Sequence, residues 1–195
     1  AVRLDRAGGN PGPLYGRLVG VKEVVDVAGY EIGWGTPIHA GRVPDKDAPA
    51  VGLLKAAGAL VAGITVSTEY AMAKVGPTVN PHAARLTPGA SSQGSAAAVG
   101  AGLVNLAVGT QTIGSIIRPA AYGGCIGFKP TWGAVSCAGA MPLSDILDHV
   151  GFLSSDVATA RTALAVMAPD IPAAIAAAEE IVLLKPWYDD AVTPE

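Results

Sequence analysis

The chain has 195 residues, half of them apolar but only 5% aromatic, so its core must be built from Ala, Val, Leu and Ile. That composition favours small-faced helices packed closely on a sheet. A formal net charge of −3 with no basic cluster removes the cationic footprint that nucleic-acid binding needs.

Residues 1–6 lack the apolar stretch of a signal peptide, and residues 7–13 are rich in Gly and Pro and read as a loop. The apolar run 18–21 reads as a strand that delivers Lys22 at its end. Asp47 followed by Pro49 predicts a helix start, with Asp47 as the cap, running over 50–57 until Gly58 stops it. Residues 59–64 are a buried-strand candidate, and 69–73 predict another short helix.

A small-residue helix is expected over 95–101 and an apolar strand over 103–108. The loop 109–114 then leads to a short helix beginning near Ser115, and 125–128 predicts a further strand. Asp156 caps a helix to Met167, with apolar positions at Val157, Ala160, Leu164 and Met167. A helix over 173–180 and a strand over 181–184 follow, and 186–195 reads as a connection into more structure. Lys55 and Asn105 interrupt the apolar runs before they can span a bilayer. This alternation predicts an α/β fold: a mixed, largely parallel sheet flanked by helices.

Cys125 and Cys137 read as reduced thiols, and neither has a metal-ligand spacing with His39, His82 or His149. A soluble, cytoplasmic protein without metal or cofactor is therefore expected, with neither membrane nor nucleic acid as partner.

Three segments carry hydroxyl or amine chemistry. They are Gly20-Val-Lys22-Glu-Val, Pro88-Gly-Ala-Ser91-Ser92-Gln-Gly-Ser95 and Gly109-Thr-Gln-Thr-Ile-Gly-Ser115-Ile-Ile-Arg118-Pro. A serine hydroxyl attacks a carbonyl only when a base within reach removes its proton, and a lysine serves only when burial keeps it neutral. Lys22, flanked by Val21 and by Val24 and Val25, has an apolar setting suited to that. On its neighbourhood alone it reads more readily as a strand-edge lysine reaching solvent. Ser91, Ser92 and Ser115 read locally as helix caps as much as catalytic groups. The backbone N–H groups of Thr112, Ile113, Gly114 and Ser115 are placed to converge on one spot as an oxyanion hole.

Taken together these segments resemble the amidase signature family. So do Ile126-Gly-Phe-Lys-Pro-Thr131 and Leu147-Asp-His-Val-Gly151, and the likeness runs from about Leu18 to Met167. The resemblance implies a Ser–Ser–Lys triad: Ser115 the nucleophile, Ser91 a relay with a cis peptide bond, and Lys22 the neutral base. An acyl-enzyme on Ser115 would then be hydrolysed by water, releasing ammonia or an amine. In a subgroup of which malonamidase is the example, a similar Gly-Ser-x-Ile-Arg-Pro sets an arginine on a substrate carboxylate, which gives Arg118 a substrate-binding role. Lys129 and Asp148 sit in family-like words and read as structural, a packed lysine and a turn-forming acid.

Departures from the family pattern are Ile113 in place of a glycine, Gln111 for a usual acid, Gln93 for a small residue and Glu23 for Asp. A β-branched Ile113 would crowd the oxyanion loop if it held a positive φ. Members of the family usually run to more than twice this length, so 1–195 is expected to be one domain forming the N-terminal part of a longer one. The expected function is a serine amidohydrolase acting on a small amide. The alternative is an impaired homologue or fragment serving as a scaffold within an amidotransferase-like assembly. A homodimer, or association with a missing C-terminal portion, fits either. No Gly-x-x-x-x-Gly-Lys-Ser/Thr sequence supports nucleotide binding, and no Gly-x-Ser-x-Gly elbow supports a Ser-His-Asp hydrolase.

Overall fold

The computed structural model describes residues 12–72 and 74–171. The elements expected at 173–180, 181–184 and 186–195 lie outside those residues, as does most of the opening loop 7–13. The chain forms β1 (Leu18–Lys22), α1 (Pro49–Ala56), β2 (Leu60–Thr65), α2 (Gln93–Gly100), β3 (Leu106–Gln111), α3 (Ile117–Gly123), β4 (Ile126–Phe128), β5 (His149–Ser154) and α4 (Val157–Met167). Single tight helical turns occur at Pro37–His39 and Glu69–Ala71.

The five strands make one sheet in the order β2-β1-β3-β5-β4. β1 runs parallel to both β2 and β3, whereas β5 runs antiparallel to both β3 and β4. The sheet is therefore mixed as expected, but its parallel and antiparallel pairings are equal in number rather than largely parallel. Residues alternate between its faces. Leu106, Val108 and Phe152 pack towards a core shared with Val51 and Leu54 of α1 and Ala163 and Met167 of α4. Ala107 and Leu153 point the other way, onto Ala96, Val99, Ile116 and Ala120 under α2 and α3. The α/β layering and its helical cover are those the sequence predicts.

Several local expectations are corrected. Asp47 does not cap α1: the cap position is Ala48, without a side-chain bond. The Asp47 carboxylate instead accepts the Ala28 N–H (2.9 Å) and the Lys55 ammonium (2.7 Å), which compete successfully for it. The strand expected over 103–108 starts later and runs on to Gln111, consuming half of the expected loop 109–114, because its ladder with β5 continues to the pair Gln111–His149. α3 begins at Ile117, two residues past Ser115. The helix expected at 69–73 is a single turn, broken by Tyr70 at φ 49°. Asp156 caps α4 as predicted, accepting the Thr159 N–H at 2.7 Å.

β1 and β3 end side by side, so Lys22 and Thr110-Gln111 emerge at the same, carboxyl-end edge of the sheet. Sites in α/β folds form at such an edge.

Candidate active site

Lys22, the last residue of β1, is fully buried. Its Nζ lies 2.6 Å from Ser91 Oγ and 2.8 Å from Thr110 Oγ1, donating to both. Burial disfavours the charged amine and draws its pKa from 10.5 down to about 7, against the opposing pull of the Glu23 and Asp148 carboxylates. Much of this amine is therefore neutral near neutral pH, as a general base requires.

The loop bearing Ser91 is held by its neighbours. Gly89 has φ +96°, and a Cβ there would run into the backbone of Pro119, so the loop approaches α3 more closely than a side chain would permit. Ser92 is buried and its hydroxyl donates to Thr110 O (3.2 Å), while its N–H donates to Ser115 O (3.2 Å). Ser95 Oγ donates to Val108 O at 2.9 Å. These hydroxyls staple the start of α2 to β3, and none of Ser91, Ser92 or Ser115 caps a helix through its side chain.

The second serine loop is fixed from both ends. Gln111 Oε1 accepts the N–H groups of Ile116 (2.8 Å) and Ile117 (3.0 Å), so this neutral side chain holds the chain just after Ser115. Thr112 Oγ1 donates to Asp148 Oδ1 (2.5 Å), and Asp148 Oδ2 accepts the Leu143 and Ser144 N–H groups (2.7 and 2.9 Å). Asp148 is thus the turn-forming acid expected, and it also ties that turn to the serine loop. Lys129 donates to Pro130 O at 2.7 Å. Ile113 is not among the residues with positive φ and is 90% exposed, so the crowding its β-branch would bring to a strained loop does not arise.

Ser91, Thr112, Ile113, Ser115 and Arg118 line one cleft of about 700 Å³, whose walls include Met72, Val75, Tyr122 and Leu143. Arg118 is exposed, and no ion-pair partner for it is found among the described residues. Among those residues the N–H groups of Ile113, Gly114 and Ser115 also have no acceptor within the fold. Lys22 and Ser91 are in direct contact. Ser115 Oγ makes no hydrogen bond among the described residues, so the Ser115–Ser91 contact that the resemblance implies is not formed here. The cis peptide bond expected at the relay serine is absent from the described residues; Ser91 Oγ reaches Lys22 Nζ from a trans backbone.

Sequence reasoning missed Thr110 as a partner of Lys22 and Asp148 as the anchor of Thr112. The signal for Thr110 is the register Val21–Val108, which brings the ends of β1 and β3 together and which no linear pattern reveals. No group of three or more His, Cys, Asp or Glu side chains that could hold a metal is found among the described residues. Among the same residues no helix is long and apolar enough to cross a membrane.

The family model described as Amidase matches residues 1–182. The chain is 41% identical over 170 residues to a glutamyl-tRNA(Gln) amidotransferase subunit of Salinibacter ruber, covering 84% of this chain and 33% of that protein. It is 42% identical over 163 residues to the subunit of the same name in Methanospirillum hungatei, covering 80% and 38%. Among solved structures, the native peptide amidase of Stenotrophomonas maltophilia superposes with a TM-score of 0.78 at 34% identity, covering 85% of this chain and 38% of that one. The same glutamyl-tRNA(Gln) amidotransferase subunit from Thermotoga maritima gives a TM-score of 0.77 at 34% identity, covering 80% and 36%. The chain spans 33–38% of the length of these four relatives.

Proposed function

The chain belongs to the Amidase family, and from that premise we propose that it is a serine amidohydrolase cleaving a small amide through an acyl-enzyme on Ser115. One observation carries the reading: a fully buried lysine whose pKa is drawn to about 7, held 2.6 Å from the hydroxyl of Ser91 in the cleft that Ser115 also lines.

In the proposed reaction Ser115 Oγ attacks the amide carbon while its proton passes to Ser91 Oγ, whose own proton passes to neutral Lys22. The carbonyl π electrons move onto oxygen, where the N–H groups of Thr112, Ile113, Gly114 and Ser115 stabilise the charge. Collapse of the tetrahedral adduct breaks the carbon–nitrogen bond, and the proton returns along the same path to the leaving nitrogen. Water activated by the same relay then hydrolyses the ester and regenerates Ser115. The open distance at Ser115 accords with a hydroxyl that tightens onto the relay only when substrate is bound. Thr110 holds the lysine amine from its second side.

Among the described residues Arg118 is the single cationic side chain lining the cleft, which supports an amide bearing a carboxylate. We place the domain as part of a longer family domain, in keeping with the share of the relatives it spans. A scaffold role within a larger assembly is the second reading. Ile113 at 90% and Met72 and Val75 at 62% exposure favour it, since they leave apolar surface around the cleft for a partner polypeptide.

The test is ammonia release from malonamate and from propionamide. The reading expects activity that Ser115→Ala abolishes, and a preference for malonamate that Arg118→Ala reduces by about tenfold or more. Equal losses on both amides would remove the carboxylate role of Arg118.

A further inference from the structure

Among the described residues, positive φ falls on glycines except at Trp34 (57°), Tyr70 (49°) and Ala71 (54°). The left-handed region is costly for a residue with a Cβ and persists where the surroundings over-determine it, characteristically beside a functional site. These three residues meet. Tyr70 and Ala71 are successive, and the Tyr70 N–H donates to Trp34 O at 2.8 Å.

What holds them is a clamp of side chains. The Tyr70 hydroxyl is hydrogen-bonded to His39 Nε2 at 3.0 Å. The His39 ring stands edge-on to Trp34 and to Tyr70, with centroids 4.5 and 5.7 Å apart. The Arg42 guanidinium covers the Trp34 ring from 4.7 Å and is itself fixed by the Asp26 carboxylate at 2.8 and 3.0 Å. Gly35, the residue after Trp34, comes so close to the turn that a Cβ there would sit 2.7 Å from Thr68 O.

The clamp lies behind the serine cleft. Thr68, Ala71 and Met72 line that cleft, whereas Trp34, His39 and Tyr70 do not. The Thr68 N–H donates to Ser91 O (3.4 Å), and the Ala71 N–H donates to Thr68 O (2.9 Å). On the other side the Trp34 N–H donates to the carbonyl of Glu23 (3.2 Å), the residue after Lys22. The segments that carry Lys22 and Ser91 are therefore joined twice, once by their own side chains and once through Trp34, Tyr70 and Thr68. Packing alone would account for the rings of Trp34 and Tyr70, which border the core. It gives no reason for the left-handed backbone at Ala71, where glycine would meet no such cost.

We infer that Tyr70 is a positioning residue for the Lys22–Ser91 pair: its hydroxyl on His39 holds the left-handed Tyr70–Ala71 turn, and that turn holds Ser91 through the Thr68 N–H. The inference rests on the reading of Ser91 as the proton relay. Tyr70 acts through the backbone and touches none of the reacting atoms.

The test compares the full chain, Tyr70→Phe, and Tyr70→Phe combined with Ala71→Gly. Two quantities are read: amide hydrogen exchange at Thr68, with Val108 of the central strand β3 as reference, and the rate of fluorophosphonate labelling at Ser115. Phenylalanine keeps the ring contacts, so Tyr70→Phe removes only the hydroxyl bond to His39. Exchange at Thr68 should quicken about fivefold, the worth of one neutral hydrogen bond, while Val108 stays unchanged. Labelling should slow by about tenfold, as it does when a catalytic group is slightly misplaced. Ala71→Gly, which takes a positive φ without a Cβ, should restore most of that rate. Unchanged Thr68 exchange overturns the inference, and so does unchanged labelling of Tyr70→Phe. Exchange that quickens equally at Val108, or a slow rate that Ala71→Gly leaves slow, assigns Tyr70 to general stability and overturns it too. Should the double variant fail to fold, the two measurements on Tyr70→Phe decide. A folded parent protein that takes up no label removes the nucleophile reading instead, and exchange at Thr68 then decides alone whether Tyr70 holds Ser91.

Discussion

Replacing Lys22 by methionine separates the buried amine from everything else that titrates. The side chain is fully buried, and a pKa drawn from 10.5 to about 7 corresponds to about 5 kcal/mol of disfavoured charge. The sign follows from proton counting. Between about 7 and 10.5 the unfolded chain holds the proton on Lys22 and the folded chain does not, so stability rises with pH across that window. Below about 7 both states are protonated, and the folded state carries the whole penalty. Lys22→Met has no such penalty. Its stability relative to the parent protein is therefore greatest in acid, and the gap narrows by about 3 kcal/mol between about pH 6 and about pH 9. Urea unfolding of both proteins at intervals across that range measures it. A difference that stays constant with pH would mean that Lys22 keeps an ordinary amine pKa, and the base assignment would fall with it.

The same titration governs rate: kcat/KM is expected to rise with pH through about 7 and level off above it, as Lys22 loses its proton. Thr110→Val removes one of the two acceptors on the buried ammonium, a charge-assisted bond worth about 1.5–3 kcal/mol, and so moves that limb to lower pH by about one pH unit or more. A pH–rate profile that superposes on the parent's contradicts the Thr110 contact. Asp148→Ala strands Thr112 Oγ1 and the Leu143 and Ser144 N–H groups. It should lower unfolding free energy by about 2 kcal/mol or more and reduce kcat more than KM if the loop it releases carries the proposed oxyanion donors. Unaltered kcat in a folded Asp148→Ala protein would detach the turn from the reaction.

How much of this was legible in the sequence depended on how local each cause is. β1 ending on Lys22 and the Asp156 cap of α4 were legible because the apolar run and the Asp-to-Thr159 contact lie within a few residues. Asp47 misled for the opposite reason: its carboxylate is claimed by Ala28 and Lys55, one of them 19 residues away. β5 went unread, since His149-Val-Gly-Phe-Leu-Ser carries a glycine mid-strand and no alternation; it forms because β3 and β4 flank it on both sides. Motif spacing named Lys22, Ser91 and Ser115, but only strand register could add Thr110.

The central claim is that Ser115 is a nucleophile activated through Ser91 and Lys22. Intact mass after incubation with a fluorophosphonate tests it most directly, on the parent protein, Ser115→Ala and Lys22→Met, each shown to be folded. The account predicts one covalent adduct on the parent protein at Ser115, none on Ser115→Ala, and strongly slowed labelling of Lys22→Met. Labelling that persists in Ser115→Ala, or a folded parent protein that takes up no label, would contradict it.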